Sequence, residues 1–377
     1  MQFRHPRAVV LLFIGIIVVM QAAFWMLPRR PFSENEKRVL AEAPQINAAG
    51  IADGSVFRSI ESYLSDHFPG RNLWVGANAY LERAEGRGAT EDIVCGMDGW
   101  LFTAPVSEDR ETLWDNMQAI TTFAGRQSVP VIMMTVPSAG AVVADKLPAL
   151  HLPYPDAEML EEARRIAGNT LNWLDLYTAF CSAEQPETLY YRTDHHWTTE
   201  GAYRAYCLLM DKLGQPSVPR DDFTVEQIAD FYGTSYSRSG LWLTDPDTIE
   251  LWTDSDIQAV TTVYDANRAP VTREGMFFRE YLEDADKYPV FLSGNHARVH
   301  IETNADSGKR LLVIKDSYAH ALAPFLAEEY STIDLIDLRY FKQQTISSWL
   351  EENPADEILL VYGLSSLAED KNLQWLE

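Results

Sequence analysis

The sequence is poor in cysteine and in positive charge, and both shortages narrow the functions open to it. Its 377 residues contain three cysteines, Cys95, Cys181 and Cys207, with no CxxC pair and no metal-type spacing. One disulfide is allowed and none is required. Lysine and arginine number 31 against 55 acidic residues, a formal charge of -24, and no basic stripe offsets it. Because such a surface repels phosphate backbones, nucleic acid is not expected as a partner.

Long apolar runs are also scarce, and the sequence has only one, at residues 8–27 (AVVLLFIGIIVVMQAAFWML). As a helix, this run has about the length that a ~30 Å hydrocarbon core requires. It predicts an uncleaved single-pass anchor within residues 1–30, preceded by a short cytoplasmic tip. A cleaved signal peptide is the alternative, although MQAAFWMLP lacks a small-x-small cleavage pattern. Basic residues lie on both sides of the run and do not fix its orientation. A single N-terminal anchor before a large domain favours an extracytoplasmic domain in the cell membrane.

The rest of the chain predicts a stalk at 31–57 followed by one α/β domain at 58–377, which opens with a helix at 58–85. Short, continuously apolar runs indicate parallel strands covered by helices on both faces. Four segments contain such runs: VPVIMMTVP (129–137), RLLVIKDSYAHALAPFL (310–326), STIDLIDLRYF (331–341) and DEILLVYGLSSL (356–367). We therefore predict a doubly wound parallel sheet. The turn-punctuated, Asp- and Thr-rich stretch 216–305 predicts an inserted β-rich subdomain.

A serine follows one of the predicted parallel strands at the position where reactive groups usually lie. In open parallel sheets, these groups sit beyond the carboxyl ends of the strands. Ser317 comes three residues after Ile314, at the start of a predicted helix whose backbone N–H groups can stabilise an oxyanion. The alternative is that Ser317 only caps that helix.

The string RTDHHWTTEGAYRAY (192–206) supplies the partners that a serine nucleophile needs. Asp194 and His196 are two residues apart, so in an extended segment they point the same way, as carboxylate and general base. His195 is then expected to face the other way, in a structural role. A metal site is an alternative, but adjacent side chains diverge and no HxxxH motif or further His/Cys cluster lies nearby. A purely structural polar turn is another. We predict no metal and no cofactor.

Several strings together resemble one known family. TDHHWT, FSENEKRVLAEAP, YLSDHFPGRNLWV and LLVIKDSYAHALAPFL followed by DLRYF are similar to the bacterial DHHW family, which resembles the alginate O-acetyltransferase-type proteins of the SGNH hydrolase superfamily. The resemblance implies an SGNH-hydrolase-like fold with a Ser/His/Asp triad. Asp194 would be the acid, His196 the base and Ser317 the nucleophile. The chain order is permuted, because the serine comes first in ordinary SGNH hydrolases.

The oxyanion and substrate contacts are harder to place from the sequence. The ordinary Gly-Asp-Ser is replaced by a lysine-containing string at 315–317, and no Gly-x-Asn donor motif follows Gly363. Arg339, Tyr340 and Gly363, near the ends of neighbouring strands, are the candidate donors. Trp197 is a candidate sugar-stacking face, although core packing is the more common role for such a residue. Two look-alike strings, SGNH (293–296) and YGTSYS (232–237), are expected to be coincidental, the second belonging to the inserted subdomain and at most to the rim of the cleft.

These expectations combine into a membrane-anchored extracytoplasmic O-acyltransferase. It would pass an acyl group, most simply acetyl, to hydroxyls of a cell-surface or secreted polysaccharide. The resemblance implies a membrane-bound O-acyltransferase as the partner that supplies the acetyl group. Two alternatives stay open: a carbohydrate esterase that removes acetyl groups, and a non-catalytic glycan- or wall-binding module.

Overall fold

The computed structural model describes residues 6–90, 92–106, 110–266 and 268–377, which form two compact units. The first consists of the chain up to Arg87 together with Ser237–Leu243. The second consists of Gly88–Tyr236 and Thr244–Glu377. Residues 1–5, most of the predicted cytoplasmic tip, lie outside the described residues.

The first unit is mostly helical. Its elements are α1 Pro6–Met26, β1 Phe32–Ser33, β2 Arg38–Val39, α2 Ala48–Ala52, α3 Ser55–Asp66 and α4 Arg71–Ala84. Helix α1 is long and apolar enough to cross a membrane over Arg7–Met26, as a membrane anchor or a signal sequence would be. The single helix predicted at 58–85 is wrong, because the chain breaks at Pro69 and Gly70. Proline disfavours helical geometry in the residue before it, and Gly70 takes φ 69°.

The second unit alternates strands and helices around a large sheet. From Gly88 onward, the elements are β3 Ala89–Thr90, β4 Ile93–Cys95, β5 Leu101–Thr103, α5 Glu111–Arg126, β6 Val131–Val136, α6 Ala139–Val142, α7 Asp156–Ala167, β7 Asn172–Leu174, α8 Leu176–Cys181, α9 Thr199–Leu213, β8 Thr224–Phe231, α10 Thr234–Ser239, β9 Asp247–Thr253, β10 Ala259–Tyr264, β11 Val271–Glu274, β12 Arg298–Thr303, β13 Arg310–Lys315, α11 Ala319–Leu326, β14 Thr332–Ile336, α12 Ile346–Glu352, β15 Glu357–Gly363 and α13 Leu364–Glu369.

The central sheet has eight strands in the order β11-β10-β12-β14-β13-β15-β6-β7. The five strands from β14 to β7 are parallel, and β13 lies between β14 and β15, with Ile314 level with both Ile336 and Leu360. The other three strands are antiparallel. The predicted α/β class with a parallel core is confirmed, and the sheet is mixed at one edge. The burial of β10 alternates along the strand, as expected for an antiparallel strand with one solvated face.

The strands of the predicted insertion, 216–305, are divided between two places. Strands β8 and β9 pair as a separate hairpin, whereas β10, β11 and β12 extend the central sheet. This division has a physical reason, because β14 would otherwise leave an unpaired edge that β12 covers with a full ladder of hydrogen bonds.

The core occupies both faces of the sheet. Along β13, Leu311 and Val313 pack into one cluster with α9 and α11, whereas Leu312 and Ile314 pack into another with α5, α7 and α12. This alternation follows from the two-residue period of a strand. Helices therefore cover both faces, and the ends of the parallel strands are the part of the sheet left open for a site.

Candidate active site

The turn that carries Ser317 is fixed by the aspartate before it. Asp316 accepts a hydrogen bond from the Tyr318 N–H at 2.9 Å and another from the Gly363 N–H, at the end of the adjacent strand β15, at 2.7 Å. Burial raises the pKa of Asp316, although both amides favour its charged form. The carboxylate therefore ties the end of β13 to β15 and leaves Ser317, which is half-buried, between the strand and α11.

Ser317, His196 and Asp194 form a continuous chain of hydrogen bonds. The Ser317 hydroxyl lies 2.7 Å from Nε2 of His196. On the other side of the ring, Nδ1 of His196 lies 2.6 Å from Oδ1 of Asp194, which also accepts the His196 backbone N–H at 2.9 Å. The structure thus brings together the three residues that the sequence proposed, across 121 positions of chain.

The second oxygen of Asp194 is held by a segment 40 residues further along the chain. Oδ2 accepts from the Thr234 N–H at 2.7 Å and from its hydroxyl at 3.0 Å. Gly233 allows this approach, because a Cβ there would lie 2.2 Å from the Asp194 Cβ. Burial alone would raise the pKa of Asp194, but the neighbouring His196 and His195 and the Thr234 amide hold that pKa well below its usual range. The carboxylate is therefore ionised at neutral pH.

Tyr288 packs flat against the imidazole of His196. The two ring centroids are 4.0 Å apart with planes 9° from parallel, and the Tyr288 hydroxyl donates to the Ser317 carbonyl oxygen at 3.3 Å. This buried tyrosine therefore contacts both the proposed base and the proposed nucleophile. Tyr288 is not among the residues predicted from the sequence, because it lies 92 positions after His196 and no local pattern marks it.

His195 does not point away from His196 as predicted. Its ring centroid is 3.8 Å from that of His196, and its Nδ1 lies 2.7 Å from the Thr234 hydroxyl. The prediction assumed an extended segment, whereas residues 192–196 form a series of bends. The expected structural role is supported, because the His195 carbonyl oxygen also accepts from the Tyr318 hydroxyl at 2.6 Å.

Trp197 is fully buried, so it packs in the core, as expected for most such rings, and it is excluded as a sugar-stacking face. Its indole N–H donates to the Tyr318 carbonyl oxygen at 3.1 Å, directly after Ser317. A buried tryptophan is stable where its ring packs against other side chains and its N–H has an acceptor, and both conditions hold here. Trp197 therefore stabilises the turn that carries Ser317 through a contact from the core.

Of the three candidate oxyanion donors, the Gly363 N–H is excluded because it is bonded to Asp316. Arg339 and Tyr340 follow β14, the strand beside β13, and Tyr340 is 46% exposed. The Arg339 guanidinium donates to both oxygens of Asp337, at 2.9 and 2.6 Å, and to Oδ1 of Asn295 at 3.3 Å. The Ser317 backbone N–H donates to no other residue within the described part of the chain.

A buried charged cluster around Lys315 lies beside the turn that carries Ser317. Nζ of Lys315 lies 2.6 Å from Nε2 of His320 and 3.5 Å from Oδ2 of Asp337. Burial lowers the pKa of Lys315. Burial and the neighbouring charge of Lys315 together hold the pKa of His320 well below its usual range. These contacts connect β13, α11 and the end of β14.

The metal alternative has a compact set of donors in Asp194, His195 and His196, whose ligand atoms lie within 4.8 Å of one another. Both ring nitrogens of His196 are, however, engaged with Asp194 and Ser317, and Thr234 occupies the other carboxylate oxygen. A cation would have to displace these hydrogen bonds. The geometry therefore favours activation of a hydroxyl over metal binding.

Comparisons with known proteins agree with the motifs. The family model described as "DHHW protein" matches residues 169–336, a range that contains Asp194, His196 and Ser317. A second model, described as "SGNH hydrolase-like domain, acetyltransferase AlgX", matches residues 93–242. Among curated proteins, the chain is 25% identical over 181 residues to "Probable alginate O-acetylase AlgJ" of Pseudomonas aeruginosa. That match covers 43% of this chain and 44% of the relative, so less than half of the relative's length is spanned.

Two solved structures share the fold. A DHHW family protein from Eubacterium siraeum is 25% identical with a TM-score of 0.65, covering 77% of this chain and 96% of that one. Bacillus cereus PatB1, solved with a sulfonyl adduct, is 22% identical with a TM-score of 0.65, covering 76% and 98% of the two chains. The predicted resemblance to DHHW proteins and to alginate O-acetylase-type proteins with an SGNH-like domain is confirmed.

Proposed function

We propose that this chain is a serine O-acyltransferase that moves an acyl group, most simply acetyl, onto hydroxyls of a polysaccharide. The observation that carries the proposal is the hydrogen-bonded series from the Ser317 hydroxyl through His196 to an ionised Asp194. That series is the arrangement by which a weakly acidic hydroxyl becomes a nucleophile near neutral pH.

The first half of the reaction forms an ester on Ser317. As the Ser317 oxygen attacks the acyl carbon of the donor, His196 Nε2 takes the hydroxyl proton. Asp194 holds the proton on Nδ1 and stabilises the imidazolium that forms. Collapse of the tetrahedral intermediate expels the donor alcohol, which receives the proton from Nε2. Tyr288, stacked on the ring, keeps Nε2 directed at the serine throughout.

The second half repeats the same proton transfers with an acceptor hydroxyl. His196 removes the proton of a sugar hydroxyl as that oxygen attacks the ester, and it then returns the proton to Ser317. Negative charge builds on the acyl oxygen in both halves. The Ser317 N–H and the Arg339 side chain are the donors we assign to it, and one such donor contributes roughly 10²–10³-fold in rate.

Two parts of the proposal come from the similarity to alginate O-acetylases: the acceptor is a polysaccharide and the acyl group is acetyl. The third part, a membrane-bound O-acyltransferase partner that supplies the acetyl group, is what the resemblance of the sequence motifs implies. Helix α1 would anchor the domain in the cell membrane on the extracytoplasmic side. A carbohydrate esterase uses the same groups, because water can replace the sugar hydroxyl in the second half.

An acceptor experiment distinguishes the transferase from the esterase and from a binding module. The purified chain is given an aryl acetate with and without uronate or neutral oligosaccharides. A transferase releases the aryl alcohol faster when a suitable oligosaccharide is present, and that oligosaccharide gains an acetyl group detectable by mass. Free acetate as the sole acyl product would establish the esterase. No turnover above that of Ser317→Ala would leave only the binding module.

The location is tested by protease treatment of spheroplasts. If the domain lies outside the cytoplasm and is anchored by α1, external protease digests it while a cytoplasmic marker survives. A domain that resists digestion until the cells are lysed would contradict this topology. A mature chain lacking residues 1–27 would instead show that the segment is a cleaved signal.

A further inference from the structure

We propose that α3 and α4 form a membrane seat, defined as residues 55–84, that lies in the lipid interface next to the point where α1 leaves the bilayer. The inference rests on the anchor proposed above and adds a second contact with lipid. Three independent features of the first unit support it: exposed apolar stripes, a fixed connection to α1, and a local balance of charge.

Both helices of the seat turn apolar stripes outward. On α3, Phe57 and Leu64 lie two turns apart on one face, and Phe57 is 61% exposed. On α4, Leu73 and Leu81 lie eight residues apart with Trp74 beside them, and Leu73 and Trp74 are 71% and 55% exposed. Amphipathic helices in folded proteins normally bury such stripes, so exposed ones mark an interaction surface.

The seat is held against the end of the proposed anchor. In the last turn of α1, the Phe24 ring packs edge-on against Tyr63 of α3, with centroids 6.3 Å apart. Arg29 lies 4.0 Å above the Phe24 ring and 5.5 Å from that of Tyr63, and it donates to the His67 carbonyl oxygen at 3.5 Å. The last turn of a spanning helix lies at the headgroup level. Anything that contacts it is therefore placed at that level too.

The connection between α1 and α3 is also braced by the predicted stalk. Arg38, on the β1–β2 hairpin, donates to both oxygens of Asp66 at the end of α3, at 3.0 and 2.5 Å. Asp66 accepts the Ala41 N–H as well, at 2.9 Å. Residues 32–41 therefore form a short brace rather than a free tether, and the seat cannot drift far from the anchor.

The charge distribution favours lipid as the occupant. Residues 29–87 contain eight basic and eight acidic residues, whereas residues 88–377 contain 21 basic and 47 acidic ones. An anionic bilayer repels the strongly acidic residues 88–377, whereas it does not repel residues 29–87, whose charges balance. A tryptophan among apolar side chains, flanked by arginines, is typical of helices that lie in the interface.

Photolabelling from the lipid tests the seat in the full-length chain. The protein is reconstituted in phosphatidylethanolamine and phosphatidylglycerol vesicles that contain a lipid with a photoreactive diazirine in the upper acyl chain. After irradiation and digestion, labelled peptides are identified by mass. We expect labels on α1 and on the α3 and α4 peptides, and none on the peptide with Leu150 and Leu152, which are exposed at 91% and 73% in the acidic unit.

A matched pair of variants sharpens the outcome. Leu73→Glu, at a side chain that is 71% exposed, should reduce labelling of α4 several-fold while leaving the label on α1 and the thermal unfolding midpoint unchanged. Leu150→Glu should change neither label. Labels confined to α1 would overturn the seat and leave the anchor standing, whereas a chain with no label on α1 would overturn the anchor. Crosslinks between the seats of two copies in the vesicles would show that a second chain covers these stripes, and would also overturn the proposal.

Discussion

Replacing Asp194 by asparagine removes one charge and one hydrogen-bond acceptor from a side chain whose two oxygens both accept hydrogen bonds. Its Oδ1 accepts two hydrogen bonds from His196, at 2.9 and 2.6 Å, and its Oδ2 accepts two from Thr234, at 2.7 and 3.0 Å. Asparagine has one acceptor oxygen, so its NH₂ group must face a backbone N–H on one side or the other. Neither orientation reproduces the native hydrogen bonds.

The two orientations impair the protein in different ways. With the NH₂ group towards His196, Nδ1 must accept a hydrogen bond, the ring proton moves to Nε2, and the ring can no longer take the Ser317 proton. That tautomer costs about 10⁴-fold in rate, or ~5.4 kcal/mol at 1.36 kcal/mol per tenfold. With the NH₂ group towards Thr234, a buried N–H loses its acceptor, which lowers the free energy of unfolding by about 1–3 kcal/mol.

The assay is a burst experiment with an aryl acetate, paired with urea unfolding of the same preparations. We expect Asp194→Asn to lose at least ~10³-fold in the acylation rate and to remain folded. Asp175→Asn is the matched control, because Asp175 is an exposed helix N-cap that accepts from the Thr178 N–H, a role asparagine fills equally well. An acylation rate within tenfold of wild type, together with an unchanged free energy of unfolding, would refute the assigned role of Asp194.

Three further outcomes follow from single contacts. Gly363→Ala should lower the free energy of unfolding by about 1–3 kcal/mol and slow acylation, because its Cβ would lie 2.6 Å from the buried Tyr318 ring; urea unfolding with unchanged stability would contradict this. Trp197→Phe should cost about 1–3 kcal/mol by leaving the Tyr318 carbonyl unpaired, with little change in acylation of the folded fraction. The Arg38 hydrogen bond lowers the pKa of Asp66 to about 2, so this carboxylate stabilises the fold above its unfolded pKa of about 3.9. That stabilisation should be lost as the pH falls from about 4 to 2. Hydrogen exchange of the α3 amides should therefore become faster over this pH range in the wild type, and Asp66→Asn should not show this acid-dependent change.

The sequence located the three residues of the hydrogen-bonded series because each follows a rule of local position. Ser317 comes after a continuously apolar strand, and such strands end at the open edge of a parallel sheet. Asp194 and His196 are two residues apart in the chain, so their proximity needs no long-range information. The β-rich stretch at 216–305 contains the antiparallel edge strands, but the sequence does not predict that they join the central sheet, since pairing depends on which edge is left open.

The supporting contacts could not be predicted in the same way. Thr234 and Tyr288 reach the site from segments 40 and 92 positions beyond the residues they contact, and isolated polar or aromatic residues carry no pattern. The predicted orientation of His195 is wrong because the two-residue alternation of an extended strand does not hold in the bent segment 192–196. The break at Pro69 and Gly70 is different, since the signals for a helix end were present in the sequence.

Acylation of Ser317 tests the central claim most directly. The full-length chain is mixed with an aryl acetate, quenched in acid within the first turnover, and its intact and peptide masses are measured. The account predicts one added acetyl group on the peptide containing Ser317, lost in Ser317→Ala and retained in Ser365→Ala, whose serine also follows a parallel strand at the start of a helix. An unmodified wild-type chain, or equal labelling of Ser317→Ala, would contradict it.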